Sequence, residues 1–527
     1  MPRRPLTEAV RDPGFTPGAR DLDPLVDMLA DDELEKLAER AVVRLGAAAA
    51  ARLIGRLGAA RPPLRGRIVR VLGRLTGEAV VRDALVGALK DGDAKTRRNA
   101  AIALGHAQGE GVEEALVAAW RDDPRPEMRR SIAASLGKTG SARSRALLDE
   151  AARAEDAELA RIAQRARMMI DRTASRGERT PLDAARAAAA PVPVVVLARP
   201  GLEDVLAEEL AGIAALKDVR DGGPGRVRAT LAGPMKALFG ARTMLGFRFP
   251  VPGESIGDGE AETDAIARAV TGDVARAVLG AWTPGQVRYR IAWAEGGHKR
   301  AATWGVASAV ALRRPELVND PTASSWEVLV ERNRSVVEVS LVPRAVVDPR
   351  FAWRKRDVPA ASHPTVAAAL ARVAGVRDDD VVWDPFVGSA GELVERALLG
   401  PYRALHGSDV DARALDAARE NLAAAGLVAD LVRGDALTVA PPGVTLVVTN
   451  PPMGRRAVRE HGLADALDRF VAHAASVLVK GGRLVWIAPW PARARTAATI
   501  ARLSLAWART VDMGGFDAEL QRWTKLE

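Results

Sequence analysis

The sequence predicts a multidomain chain of three folded parts: an α-solenoid, a mixed α/β module and a doubly wound α/β domain. Three observations carry that prediction. A Leu-Gly pair recurs every 32 residues, at Leu72-Gly73, Leu104-Gly105 and Leu136-Gly137, within a helix-patterned stretch. Strand-like and helix-like runs alternate from Val194 to Val342. Strand-like runs separated by helical segments then extend from Val381 to Pro489, the pattern of a sheet with helices on both faces.

At 527 residues the chain has room for three or four domains at roughly 150 residues each. Its 48% hydrophobic and 27% charged residues fit a folded, soluble protein. Cysteine is absent, which excludes disulfides, thiolate zinc sites, iron–sulfur clusters and cysteine nucleophiles. No metal is expected. No apolar run approaches the ~20 residues that span a bilayer, and Met1, Pro2, Arg3, Arg4 and Pro5 hold no apolar segment of the signal-peptide kind. A cytoplasmic protein without a membrane partner is therefore expected. The formal charge of +9 favours a polyanion, because lysine and arginine gain affinity by releasing phosphate counterions. Compositional bias toward arginine and alanine would give the same balance, so charge alone does not choose nucleic acid.

Residues 1–20, with four prolines and two glycines, are expected to form a flexible tail. Residues 21–172 carry the repeat. Arg65, Arg97 and Arg129 keep the spacing of the Leu-Gly pairs, and acidic turns such as Asp91-Gly92-Asp93 and Asp122-Asp123-Pro124 separate short helices. A helix pair of this kind buries its second face only by stacking on a neighbour. The segment resembles HEAT-like repeats, which implies a binding platform for a protein or RNA; a spacer is the alternative. Residues 173–191, around Thr173-Ala174-Ser175-Arg176-Gly177 and an alanine run before Pro191, are expected to be a linker.

The second part is expected over 192–345. Val194 to Leu197 is strand-like, and Leu202, Val205, Leu206 and Leu210 line one face of a following helix. Further strands are expected at Val287–Trp293, Trp326–Glu331 and Val336–Val342, with a basic loop at His298-Lys299-Arg300. The Pro200-Gly201-Leu202-Glu203 start and that basic loop resemble a ferredoxin-like module followed by a THUMP domain, which implies binding of structured RNA. Lys299 and Arg300 are the candidate RNA contacts. With Arg288 and Arg290 they cluster beside a helix start, where phosphate binds readily; an ordinary solvated face is the alternative. Residues 346–374 form a connector with Arg350, Arg354, Lys355 and Arg356 and a helix near Pro364-Thr365.

The third part, 375–527, has expected strands at Val381–Asp384, Arg403–Asp409, Ala429–Val432, Val444–Thr449 and Arg483–Pro489. In such sheets ligands lie at the carboxyl ends of the strands, near the point where strand order reverses. The first strand ends in Asp384-Pro385-Phe386-Val387-Gly388-Ser389-Ala390-Gly391, whose small residues let backbone approach a ligand. The second ends in Asp409, a carboxylate able to accept from both ribose hydroxyls of a nucleoside. Asp435 follows the third. Each could be a turn aspartate, but acids at three successive strand ends suit one nucleoside-containing ligand.

The fourth strand ends in Asn450-Pro451-Pro452-Met453-Gly454-Arg455-Arg456, the most specific string in the chain. Methylating an exocyclic amine is hard because its lone pair is delocalised into the ring. The Asn450 side-chain oxygen and the Pro451 carbonyl can accept the two amino protons while proline's fixed φ keeps the turn rigid. In-line placement then supplies several kcal/mol without a nucleophile or metal. Arg455 and Arg456 are placed to hold flanking phosphates.

Asp384, Phe386, Gly388, Ser389, Asn450, Pro451, Pro452 and Gly454 resemble the motifs of class I, Rossmann-like methyltransferases, and with the preceding part the chain resembles THUMP-containing RNA guanine-N2 methyltransferases over about 192–527. The resemblance implies S-adenosyl-L-methionine as cofactor, bound by Asp384, Phe386, Gly388, Ser389, Gly391, Asp409 at the ribose, Asp435 near the adenine, and Asn450. It implies tRNA or rRNA as substrate, N2-methylguanosine as product, and Asn450, Pro451, Pro452 and Met453 as catalytic residues. Met513-Gly514-Gly515 and Trp523 match the family's closing hairpin. Two departures stand out. Ala390 replaces a glycine, which a negative φ would tolerate, and Met453 replaces an aromatic whose base stacking is worth ~1–3 kcal/mol. The second departure opens another reading, a decayed enzyme serving as an RNA or ribosome adaptor. A third applies the same Asn-Pro-Pro geometry to protein or DNA.

Overall fold

The computed structural model describes residues 5–174, 180–256, 261–297, 299–333, 336–359, 361–453 and 460–526. It divides into two compact units: Met1–Arg179 with Gln286–Ile291 and Gly297–Ser324, and Thr180–Gly285 with Ala292–Gly296 and Ser325–Glu527.

The first unit is built on stacked helices, among them Pro62–Leu72, Ala94–Leu104, Pro126–Thr139 and Ala157–Ala174. One apolar cluster runs through it from Val10 to Ile170. The 32-residue period has a steric cause. A Cβ on Gly73 would lie 2.6 Å from Ala103 Cβ, one on Gly105 2.6 Å from Ser135 Oγ, and one on Gly137 2.7 Å from Ala166 Cα. Each glycine is where the next repeat's helix crosses, and the residue met there is itself small. Gly105→Val is therefore expected to cost about 3 kcal/mol by overpacking, read as an earlier urea transition of this unit. The constant spacing of the arginines also has a physical reason: Arg65 reaches Asp91 at 2.9 Å and Arg97 reaches Asp123 at 3.2 Å. In the third repeat Arg129 lies instead over the Trp120 ring, and Arg130 reaches Asp156.

Three boundaries read from the sequence need correction. The expected tail is packed from residue 5 on: Val10 joins the solenoid core, and Arg44 donates to the carbonyls of Pro13 and Phe15. The expected linker is structured at both ends. The helix Ala157–Ala174 runs into it, and beyond Thr180 the chain lies on the second unit, where Asp183 N donates to Trp282 O and Trp282 Nε1 donates to Arg186 O. Local polarity and alanine content gave no hint of these tertiary bonds. Residues 286–291 and 297–324, expected to share one body with the rest of 192–345, belong to the first unit, where Arg165 lies over the Trp304 ring at 4.6 Å.

In the second unit the strands β1 (Val192–Leu197), β2 (Leu216–Asp221), β3 (Arg226–Leu231) and β4 (Gly246–Ser255) precede the parallel pair β5 (Arg288–Trp293) and β6 (Val318–Asn319), which lies largely in the first unit. β7 (Trp326–Asn333) and β8 (Val336–Pro343) complete an antiparallel run in the order β2-β3-β1-β4-β8-β7. Leu202, Val205, Leu206 and Leu210 are all buried, as their spacing requires. The Pro-Gly-Leu-Glu turn has a structural role. Glu203 accepts from Gly201 N and Gly225 N, while a Cβ on Gly201 would lie 1.9 Å from Thr510 O, so only glycine permits this contact.

The remaining sheet holds β9 (Val381–Asp384), β10 (Ala404–Asp409), β11 (Asp430–Arg433), β12 (Leu446–Thr449), β13 (Arg483–Ala488), β14 (Leu503–Asp512) and β15 (Asp517–Lys525). Their order is β11-β10-β9-β12-β13-β15-β14; the first five are parallel and β15 is antiparallel to both neighbours. The order reverses between β9 and β12, which is where a ligand is expected. The helix Pro364–Ala374, assigned by sequence to the connector, is almost wholly buried against this sheet and belongs to its domain. Among the described residues no helix is long and apolar enough to cross a membrane.

Candidate functional site

The carboxyl ends of β9, β10 and β12 converge on one loop, 385–391. Asp384 closes β9 and is fully buried. Its Oδ1 accepts from Thr449 Oγ1 at 2.6 Å and Phe386 N at 3.1 Å. Its Oδ2 is buried without a hydrogen-bond partner among the described residues. Burial, and then the nearby Glu392 carboxyl, push the Asp384 acid well above the ordinary aspartate range. The unfolded chain thus gives up this proton at lower pH than the folded protein. Stability must fall as pH rises from the ordinary aspartate value toward neutrality. Asp384→Asn is expected to be more stable than the natural chain at pH 7, with the gap closing toward pH 4, in a pH series of thermal melts.

Gly388 adopts a positive φ of 49°, which suits glycine, and its amide donates to Asp409 Oδ2 at 3.1 Å. Asp409 Oδ1 accepts from Asp411 N, so the second strand's acid is fastened to the first strand's loop. Gly434 N donates to Asp409 O, placing Asp435 beside them, exposed, with Oδ1 capping a turn through Leu437 N. The three acids are therefore brought to neighbouring strand ends, although Asp435 also serves its own turn.

Three residues of the loop have a backbone or neighbours that local sequence did not indicate. Ala390 has φ of 65°, not a negative value. It caps the helix Gly391–Leu399 in the left-handed region, at a cost of roughly 1–2 kcal/mol for a residue with a Cβ. Its methyl group is fully buried in the core, which offsets about 0.8 kcal/mol of that. A Cβ on Gly391 would face Ala367 and Trp353 at ordinary contact distance, so packing by itself does not demand glycine there. The Phe386 ring packs edge-on against Phe470 at 5.2 Å and serves the core. Ser389 is buried as expected of a tight loop, and its carbonyl accepts from Asn421 Nδ2 at 2.9 Å.

Asn450 follows directly on β12. Its Nδ2 donates to Ser362 Oγ at 2.9 Å, and its Oδ1 is buried with no partner among the described residues. Pro451 is buried, Pro452 exposed, and Met453 partly buried against the apolar cluster that includes Val382 and Val448. Gly454, Arg455 and Arg456 lie outside the described residues, as does His298. Lys299 and Arg300 are exposed at the start of the helix Arg300–Arg313 in the first unit. Arg288 is no part of an exposed basic face: it is fully buried and pairs with Asp320 at 3.3 Å.

Sequence reasoning missed Ser362, Glu392 and Asn421. Asn421 Oδ1 accepts from Lys355 N and Arg356 N while its Nδ2 holds the carbonyls of Arg356 and Ser389, stapling the connector to the site loop. An asparagine inside an alanine- and leucine-rich helix was the one available signal, since asparagine disfavours helix interiors unless it has other work.

Residues 352–516 match a family model described as an RMKL-like methyltransferase domain, and residues 82–166 match a model of HEAT repeats. The chain is 35% identical over 156 residues to the tRNA (guanine(6)-N2)-methyltransferase of Thermus thermophilus, covering 29% of this chain and 46% of that protein. It is 33% identical over 181 residues to the tRNA (guanine(10)-N2)-dimethyltransferase of Methanothermobacter thermautotrophicus, covering 34% of this chain and 50% of that protein. The chain thus spans about half the length of these curated relatives. In fold it is similar to the crystal structure of TrmN from Thermus thermophilus, with TM-score 0.53 and 24% identity over 64% of this chain and 100% of the other. A structure described as a methyltransferase complexed with SAH gives TM-score 0.52 at 14% identity, over 64% of this chain and 99% of the other.

Proposed function

We propose that the chain is an S-adenosylmethionine-dependent RNA methyltransferase that forms N2-methylguanosine in tRNA or rRNA in the cytoplasm. The observation that carries this reading is a pair of buried oxygens, Asp384 Oδ2 and Asn450 Oδ1, both without described partners, at the carboxyl ends of the two strands flanking the switch point. Buried acceptors are ordinarily satisfied, so two together suit a ligand that brings donors. A cationic ligand beside Asp384 would favour its carboxylate form, opposing the effect of burial. The residues fit the cofactor. Asp384, the Gly388 loop, Asp409 and Asp435 would hold it, and when bound it supplies an electrophilic methyl group on a sulfonium.

Asn450 Oδ1 and the Pro451 carbonyl accept the two hydrogens of the guanine amine and orient its lone pair. Burial of Asn450 Oδ1 and of Pro451 keeps water from competing for those hydrogens. The names of the tRNA guanine-N2 relatives support the choice of nucleotide. The middle part, as a ferredoxin-like and THUMP region, would bind structured RNA, with Lys299, Arg300, Arg455 and Arg456 on phosphates. The HEAT-like surface would take a protein partner. Nucleoside mass spectrometry of tRNA and rRNA from cells with and without the gene tests this: one N2-methylguanosine should disappear, and an unchanged profile would overturn it.

The packing of Met453 into the core, where an aromatic would stack on the base, favours a second reading, a decayed enzyme acting as an RNA adaptor. Calorimetry separates the two, since an adaptor would not bind S-adenosylmethionine. Labelled methyl recovered in protein or DNA would instead redirect the same chemistry to those substrates.

A further inference from the structure

The terminal nitrogen and oxygen of an asparagine are close in size, so packing alone does not decide which way the amide faces. Hydrogen-bond chemistry decides it. Behind Asn450 the structure holds a short relay. Asn450 Nδ2 donates to Ser362 Oγ at 2.9 Å, and Ser362 Oγ donates to Glu392 Oε1. Glu392 is buried in the first turn of the helix Gly391–Leu399. The Ser362 backbone is fixed in turn, because its carbonyl accepts from Arg354 Nη1 at 2.9 Å.

Serine has one hydroxyl hydrogen. With Glu392 ionised and that hydrogen given to it, Ser362 can offer Asn450 only lone pairs, and Asn450 must present its nitrogen. Its oxygen then faces the opposite way, where it is buried with no described partner. Without Glu392 the hydroxyl hydrogen could turn toward Asn450 and satisfy the flipped amide equally well, aiming a donor at the amine.

We infer that Ser362, held by Glu392, is a positioning residue that fixes the Asn450 amide with its oxygen toward the acceptor amine, an inference that rests on the role of Asn450 proposed above. Two readouts test it on the full chain. The sequence contains five asparagines, Asn99, Asn319, Asn333, Asn421 and Asn450, so labelling asparagine with nitrogen-15 leaves few side-chain amide signals. The pair lost in Asn450→Ser identifies Asn450. Its exchange with water should speed up about 10-fold or more in Ser362→Ala and return toward the natural rate in Ser362→Thr, while the Asn421 signals stay unchanged.

With S-adenosylmethionine and bulk tRNA, kcat should fall roughly 10- to 100-fold in Ser362→Ala and Glu392→Leu. KM for S-adenosylmethionine should stay within about twofold, and Ser362→Thr should recover kcat. Unchanged Asn450 exchange in Ser362→Ala would overturn the relay, as would unchanged kcat in an active protein. If the natural chain transfers no methyl group to any RNA yet Asn450 exchange still depends on Ser362, the relay stands and the RNA methyltransferase reading falls.

Discussion

Asn450→Ala is expected to lower methyl transfer at least 100-fold while S-adenosylmethionine affinity changes by no more than about threefold. The magnitude follows from the role proposed for the side chain. In the proposed role it would be a preorganised acceptor at the reacting amine, and removing one such group from a reacting centre typically costs 10²–10³ in kcat, about 3–4 kcal/mol. The amine would keep one of two acceptors, the Pro451 carbonyl, and its lone pair would sample many directions rather than one. The split between kcat and affinity is the diagnostic part. A group that acts in the transition state lowers kcat, whereas a group that merely shapes the cofactor pocket raises the dissociation constant. Single-turnover transfer of labelled methyl to tRNA, paired with calorimetry, measures both. Equal kcat for the natural chain and the variant would remove Asn450 from the chemistry, and a large loss of affinity with intact kcat would make it a pocket residue.

The second large effect concerns stability. Asp380 is fully buried just ahead of β9 and gathers two arginines: Arg396 at 2.7 Å and Arg483, with Thr445 Oγ1 at 2.9 Å. Both arginines are buried too, and each spends other hydrogens on carbonyls, Arg396 on those of Arg377, Gly400 and Pro401, and Arg483 on that of Ala374. Burial alone would raise the Asp380 acid, but the hydrogen bond from Arg396 and the charge of Arg483 outweigh it and hold the carboxyl below the ordinary aspartate range. Asp380→Asn keeps the shape and removes the charge, leaving two buried guanidinium groups uncompensated. The expected cost is about 3–5 kcal/mol. At about 2–4 °C per kcal/mol for a domain of this size, the transition of the sheet-bearing unit should drop by roughly 6–20 °C in calorimetry. A carboxyl depressed by folding stabilises above its unfolded value and ceases to do so as pH falls through its folded value. The natural chain and Asp380→Asn should therefore converge in acid. A difference that persists undiminished at pH 2 would assign the effect to packing, not charge.

Much of the site was legible because its residues sit at strand ends, and strand ends can be read from local pattern. Asp384, Asp409 and Asn450 close or directly follow β9, β10 and β12. Their order along the chain, with the turn residues that follow each, is enough to place them at one edge of one sheet. The repeat was legible for a related reason. A glycine that must let the next helix cross recurs at the period of the crossing, so Gly73, Gly105 and Gly137 appear as a rhythm in the sequence.

What stayed hidden depends on groups far apart in the chain. Ser362 and Asn450 are 88 positions apart, and no spacing rule connects a serine before one helix to an asparagine after a distant strand. Nor does local pattern reveal that Arg288 pairs with Asp320 out of solvent. Backbone sign at Ala390 was likewise open, since alanine is a good helix former and enters the left-handed region only when the surrounding loop forces it.

The sequence by itself determined the 32-residue period, the succession of the strands β9 to β13, and the identity of the residues at that sheet's carboxyl edge, because these follow from bonds and contacts between near neighbours along the chain; the strands β2, β3 and β4 left no such signal. Only the tertiary structure decided which way the Asn450 amide faces, which of the arginines are buried, and which body residues 286–291 and 297–324 join. A hydrogen bond or ion pair between distant segments has no local signature; it exists only once packing has carried both partners out of water and within reach of each other.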